Sequence, residues 1–322
     1  MRNASIRFLM IFIFCIVTGR SEIIINEAKT IQINFGLSYT NAGSLFNIDG
    51  DHKPEYLDTI PARNQPTPDS IKMDAIRGIF NIKKYTAILG INYSITDKIN
   101  CFLQIPLTHY TLSDKYEPTL NSTGYKLDKF PAFDFSLTQP EHYLIGGRYR
   151  IDSAKISPIV TAAVSIPPTF RNGYQNDTVR SFKLYNSYQF FLAGAGHLQF
   201  EKAWVEAEAT LALRTGDFAH EFIGKLEGGF STVPNTSMRG FIIWTQSLSN
   251  FDKARPIYQQ ITTLLEYSPD ISTYQENCLD VGAGFNANVI NRISLDISYS
   301  IRLGLRNTFA WGSFLINMGY RL

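Results

Sequence analysis

ISLDISYSIRLGLRNTFAWGSFLINMGYRL, residues 293–322, decides the fold of this chain. Ile293, Leu295, Ile297, Tyr299, Ile301 and Leu303 alternate with Ser294, Asp296, Ser298, Ser300 and Arg302. A turn at Arg306-Asn307-Thr308 follows. Phe314, Ile316, Met318, Tyr320 and Leu322 then alternate with Leu315, Asn317, Gly319 and Arg321. Successive side chains of a strand point to opposite faces, so this hairpin has one apolar and one polar face. Its aromatics and its apolar last residue fit a strand whose outer face meets lipid and whose inner face meets a wet lumen.

The other end of the chain agrees. Arg2 and Arg7 flank the start of an apolar run, Phe8 to Val17, too short for a helical membrane span. Small residues at Gly19 and Ser21 predict cleavage after Ser21, giving a signal peptide over 1–21 and a single barrel domain over 22–322. The arginines of the leader (Arg2, Arg7, Arg20) account for the excess of 30 bases over 28 acids, so the mature balance is close to neutral and argues against nucleic-acid binding. Aromatics make up 13% and charged residues 18%, with a mean hydropathy of −0.08. That mean is too polar for a helical membrane protein and poor in charge for a soluble one.

The same alternation recurs along the chain. Strands are predicted at about 30–39, 85–95, 99–112, 141–151, 156–167, 185–200, 203–213, 221–231, 238–248, 278–288, 292–303 and 309–322. Short turns alternate with long polar segments, as periplasmic turns alternate with external loops in outer-membrane barrels. The expected fold is all-β: a transmembrane antiparallel barrel of twelve strands, with fourteen as the alternative. Residues 40–72 and 113–139 are predicted as outer loops, and Tyr258–Tyr267 as a structured outer segment. Cys101 falls on the lipid face and Cys278 on the lumen face, which predicts two free thiols.

Two short motifs carry a resemblance. Tyr93-Ser94-Ile95-Thr96-Asp97-Lys98-Ile99, followed by Gln104-Ile105-Pro106, resembles a turn and strand of bacterial outer-membrane barrels of the transporter type. These include the phenol-degradation meta-pathway proteins, distantly like the long-chain fatty-acid channels. Ile166-Pro167 closes a later strand in the same way, while Ser94 replaces the usual Gly. The resemblance implies an outer-membrane transporter and transfers no substrate residue.

Charged residues in the inward register are the candidate lumen lining: Arg148, Arg150, Glu206, Glu208, Lys225, Glu227, Asp296 and Arg302, with Arg321 at the end. Their mixed signs argue against strong ion selectivity; they either fill and stiffen the interior or border a polar path. Outward aromatics (Tyr39, Tyr93, Tyr149, Phe200, Phe230, Trp244, Tyr299) are expected to form interfacial girdles, and loop aromatics such as Tyr116, Tyr125, Phe130, Phe133, Phe170 and Tyr174 to pack the loops. Asn47-Ile48-Asp49-Gly50-Asp51 lacks the glycine position and bidentate Glu of a calcium loop and is read as a turn. His52, His109, His142, His197 and His220 stand in no catalytic motif, so neither an enzyme nor a cofactor is expected. Phe314, Ile316, Met318, Tyr320 and Leu322 form the expected assembly signal for the barrel-assembly machinery. The function expected is a passive bacterial outer-membrane channel or uptake pore for a small solute, hydrophobic solutes included, embedded in outer-membrane lipid. The alternative is a plugged structural barrel that binds partners through its loops.

Overall fold

A computed structural model of the chain describes residues 28–46, 49, 51–53, 56–61, 73–118, 133–151, 158–167, 188–215, 219–233, 235–249, 276–290, 292–306 and 308–322. The predicted signal peptide, the segment Tyr258–Tyr267 and loop aromatics such as Tyr125, Phe130, Phe170 and Tyr174 lie outside the described residues. The strands are β1 (Thr30–Phe46), β2 (His52–Lys53), β3 (Tyr56–Pro61), β4 (Met73–Ser94), β5 (Ile99–Pro118), β6 (Phe133–Pro140), β7 (Tyr143–Arg150) and β8 (Ile159–Ile166). They continue with β9 (Gln189–Gln199), β10 (Ala203–Arg214), β11 (Glu221–Val233), β12 (Thr236–Ser247), β13 (Asn277–Ile290), β14 (Ile293–Arg302) and β15 (Thr308–Arg321).

The wall strands pair antiparallel in chain order, with β7 following β5, and β1 pairs with both β15 and β4, so the sheet closes on itself. Twelve wall positions result, as the alternation predicts: β1, β4, β5, β7 through β15. β6 continues the line of β7 along β5, while β2 and β3 pair with the outer parts of β1 and β4. Glu141 and His142 separate β6 from β7, and both side chains are buried. Such a break lies beside Pro106, which has no N–H to give the ladder; its carbonyl instead accepts from Glu141 N at 3.0 Å.

The wall alternates as the sequence does. On β1, Ile31, Ile33, Phe35 and Leu37 are 37–50% exposed, whereas Asn34 is 8%. Leu192, Leu226, Ile242 and Met318 face outward in the same way on other strands. A closed belt of this kind would be an aggregation surface in water and is solvated by acyl chains in a bilayer. Tyr93 and Tyr85 bracket the apolar outer face of β4; eight residues along a tilted strand span about 20 Å of height. Short turns close one end. In the predicted turn 96–98, Thr96 Oγ1 accepts from Lys98 N at 3.1 Å and Ile99 N at 3.0 Å. At the turn before β12, Asn235 adopts φ 65°, a conformation asparagine tolerates better than most residues.

Several boundaries differ from the sequence reading. The segment predicted as loop over 40–72 includes the end of β1, β2 and β3, and β4 begins at Met73 rather than near Tyr85. β5 likewise runs on to Pro118, and β6 occupies part of the second predicted loop. Beyond the membrane both faces of a strand are wet, so the ladder continues without any apolar alternation to announce it.

Candidate functional site: the barrel interior

The inward register holds more than the polar residues predicted for it. Phe102, Phe191, Trp204, Phe241, Phe309 and Trp311 also point inside and are buried. These inward aromatics were not among the residues expected at the lumen. Large inward side chains lie flat against the wall because glycine stands opposite them. Phe102 faces Gly146, Trp204 faces Gly229 and Phe241 faces Gly282. A Cβ at these glycines would meet Phe102 Cζ at 2.5 Å, Trp204 Cε2 at 2.7 Å and Phe241 Cζ at 2.2 Å.

The candidate charges assemble into two networks. In the first, Glu206 and Glu208 on β10 stand opposite Glu227 and Lys225 on β11. Lys225 Nζ lies 2.6 Å from Glu227 and 3.9 Å from Glu206, and His197 lies 3.7 Å from Glu206. Arg239 donates to Glu227 at 3.1 Å and to both oxygens of Asp296 at 2.8 and 2.9 Å. To reach β14 it crosses β13 over Gly284, where a Cβ would sit 2.8 Å from Arg239 Nε. Thr210 donates to Glu208 at 3.0 Å, and the Arg148 guanidinium stacks 4.4 Å from the Phe102 ring centroid.

The second network lies toward the long-loop end. Arg302 binds Asp280 through Nε at 2.6 Å and NH2 at 2.8 Å, and donates to Thr308 at 3.0 Å. Arg214 forms a two-pronged pair with Glu221, one contact at 2.7 Å. Thr308 donates to Glu276 at 3.3 Å. Glu276 precedes the first residue of β13; burial pushes its carboxyl up to about 8, although Arg302 pulls it down. A separate pair, Lys84 and Glu141 at 2.6 Å, sits at the break between β6 and β7, where Tyr110 also donates to Glu141.

Of the eight lining candidates, Glu206, Lys225, Glu227 and Asp296 join the first network and Arg302 the second. Arg148 is buried beside Phe102, Glu208 is half-buried beside Thr210, and Arg150 is half-buried near the short-turn rim. Sequence reasoning missed Arg239, the link between β11 and β14, and also Lys84, Arg214 and Asp280. Arg239 had a usable signal, since it alternates with outward Met238 and Ile242. The remaining inward surface is largely neutral. Gln104, Ala163, Ala195, Ser300, Ser313 and Leu315 keep partial exposure inside the closed wall, while the Arg239 guanidinium and Glu227 carboxylate have none. Cys101 is exposed outside and Cys278 buried inside, both as free thiols. Among the described residues, no cluster of three or more His, Cys, Asp or Glu side chains is arranged to hold a metal. The residues expected to form an assembly signal are all exposed: Phe314, Ile316, Met318 and Tyr320 on the outer face of β15, and Leu322 just past its end.

No known family model and no curated protein matches this sequence. Structural likeness is clear. An outer-membrane channel from Pseudomonas putida F1 aligns over 92% of this chain and 96% of its own, with a TM-score of 0.60 at 13% identity. The translocator domain of the autotransporter NalP from Neisseria meningitidis aligns over 92% and 90%, with a TM-score of 0.46 at 9% identity. The CymD monoaromatic hydrocarbon channel aligns over 100% and 94%, with a TM-score of 0.42 at 7% identity. The first likeness establishes a shared fold, that of a bacterial outer-membrane barrel; the other two are too distant to add to it.

Proposed function

We propose that this outer-membrane barrel is a passive channel for a small, uncharged, hydrophobic solute. The observation that carries the proposal is the division of the interior. Charges are paired and packed into the wall from β10 to β14, whereas the half-exposed inward positions on β5, β8, β9 and β15 are mostly small or neutral. A path along that neutral side presents few unpaired charges to a solute, with Glu208, His197 and Arg150 as its polar markers. The channel from Pseudomonas putida, alike in fold, supports the reading. No chemical step is needed, and diffusion down a gradient supplies the direction. The outward apolar row of β15 is, on this reading, also what the barrel-assembly machinery engages.

The test is reconstitution. Planar bilayers containing the folded barrel should show small single-channel currents with weak ion selectivity. Vesicles should take up an uncharged aromatic probe faster than protein-free controls. A heat-modifiable, correctly folded barrel that gives neither current nor uptake would sink the proposal and favour a plugged structural barrel.

A further inference from the structure

We propose that the outer face of β1, β4, β5 and β15 holds one phosphorylated lipid of the lipid A type, with an acyl chain in a hollow of the wall and a phosphate at Lys83. The hollow has a volume of about 440 Å³ and is bordered by Leu37, Ala87, Leu107, Phe314 and Ile316. Its floor is Ala87, which stands directly opposite Leu37 on β1 and Leu107 on β5. A methyl group between two leucines leaves a gap in an otherwise filled apolar belt.

The rim of the hollow marks the membrane boundary. Tyr39 and Tyr85 pair across β1 and β4 with ring centroids 5.0 Å apart. Tyr85 lies 6.3 Å from the His109 ring, and His109 Nδ1 is 2.8 Å from Thr138 Oγ1. One rung higher the outward residues turn polar together: Asn41 opposite Lys83, Lys83 opposite Thr111, and Thr111 opposite Ser136. Lys83 is exposed and makes no ion pair among the described residues. An apolar hollow capped by aromatics, with a cation just above, is complementary to an amphiphile with an anionic head and acyl tails. The rim lies at the long-loop end, hence in the leaflet facing the cell exterior. That leaflet's phosphorylated glycolipid carries several acyl chains and phosphates near its headgroup plane, which fits both halves of the site. The proposal is independent of whether the lumen conducts.

Native mass spectrometry of the folded full-length barrel in detergent tests this. Purified lipid A and phosphatidylglycerol serve as the probes. One lipid A should be retained per barrel at concentrations where phosphatidylglycerol is not. Ala87→Trp, which fills the hollow, and Lys83→Glu, which reverses the charge, should each weaken retention at least tenfold. Ile242→Trp, on the far outer wall, should leave it unchanged. Equal retention by Lys83→Glu and the parent, equal retention of the two lipids, or loss of lipid in Ile242→Trp would each overturn the proposal. So would a cross-linked dimer that covers Ala87 in place of lipid. If Ala87→Trp does not reach the heat-modifiable folded form, Lys83→Glu decides, because its site lies above the apolar belt.

Discussion

Replacing Arg239 by methionine should be among the most damaging single changes inside the barrel. The guanidinium is fully buried and bridges two carboxylates, making three hydrogen bonds to Glu227 and Asp296 between 2.8 and 3.1 Å. Methionine keeps much of the stem and its packing over Gly284 but removes every donor. Two buried carboxylates then lose their shared cation. The expected loss is about 3–5 kcal/mol, because breaking a buried pair leaves charge uncompensated. Removing the stranded charge as well (Arg239→Met with Asp296→Asn, Glu227 keeping Lys225 at 2.6 Å) should recover most of that loss, since a neutral amide carries a far smaller desolvation penalty. The assay is equilibrium urea unfolding in vesicles, followed by tryptophan fluorescence and by gel mobility without boiling. A loss below about 1 kcal/mol for Arg239→Met, or a double variant no more stable than the single, would refute the view that this network stiffens the wall.

Gly282→Ala should destabilise by about 1–3 kcal/mol through overpacking, because its Cβ would fall 2.2 Å from Phe241 Cζ and 2.7 Å from the Tyr299 carbonyl oxygen; Phe241→Leu in the same chain should relieve only the first clash and so recover part of the loss. Tyr320 and Leu322 replaced together by Asp should stop barrel assembly, read as loss of the heat-modifiable band; normal insertion would remove β15 from the role given to it. Glu276 binds a proton more tightly folded than unfolded, so its contribution to stability falls as pH rises from the ordinary carboxylate range through about 8. Glu276→Gln should flatten that part of the pH dependence in the same unfolding assay. Cys101 should react with a lipid-soluble maleimide in the folded barrel while Cys278 stays protected until unfolding.

The wall was legible because lipid imposes it. A charge on the outer face costs roughly 2–4 kcal/mol near mid-bilayer, so period-two patterning survives wherever a strand crosses. This is why β14 and β15 could be bounded closely from sequence. Outside the bilayer that pressure ends, and the outer lengths of β4 and β5 went unseen. The interior was half legible. Register assigned Glu206, Lys225, Glu227 and Asp296 to the inside, but the partner of Asp296 lies 57 positions away, across an intervening strand. Such pairing depends on strand order and on the space left by Gly284, neither of which a local pattern encodes. Inward aromatics such as Phe241 were missed for a related reason: alternation predicts polarity, whereas these residues answer to the glycine across from them.

The seam between β1 and β15 has a consequence for how the molecule is made. Thr40 and Ser313 touch across it at 3.0 Å although 273 positions separate them. Joining ends that far apart along a flexible chain carries an entropic penalty of about 5 kcal/mol. The hairpins elsewhere join nearest neighbours and are cheap by comparison. The last join is therefore the slow one, and until it forms both terminal strands present bare edges able to pair with any other chain. A partly made copy is a template for aggregation, and a finished one has no edge in its wall at all.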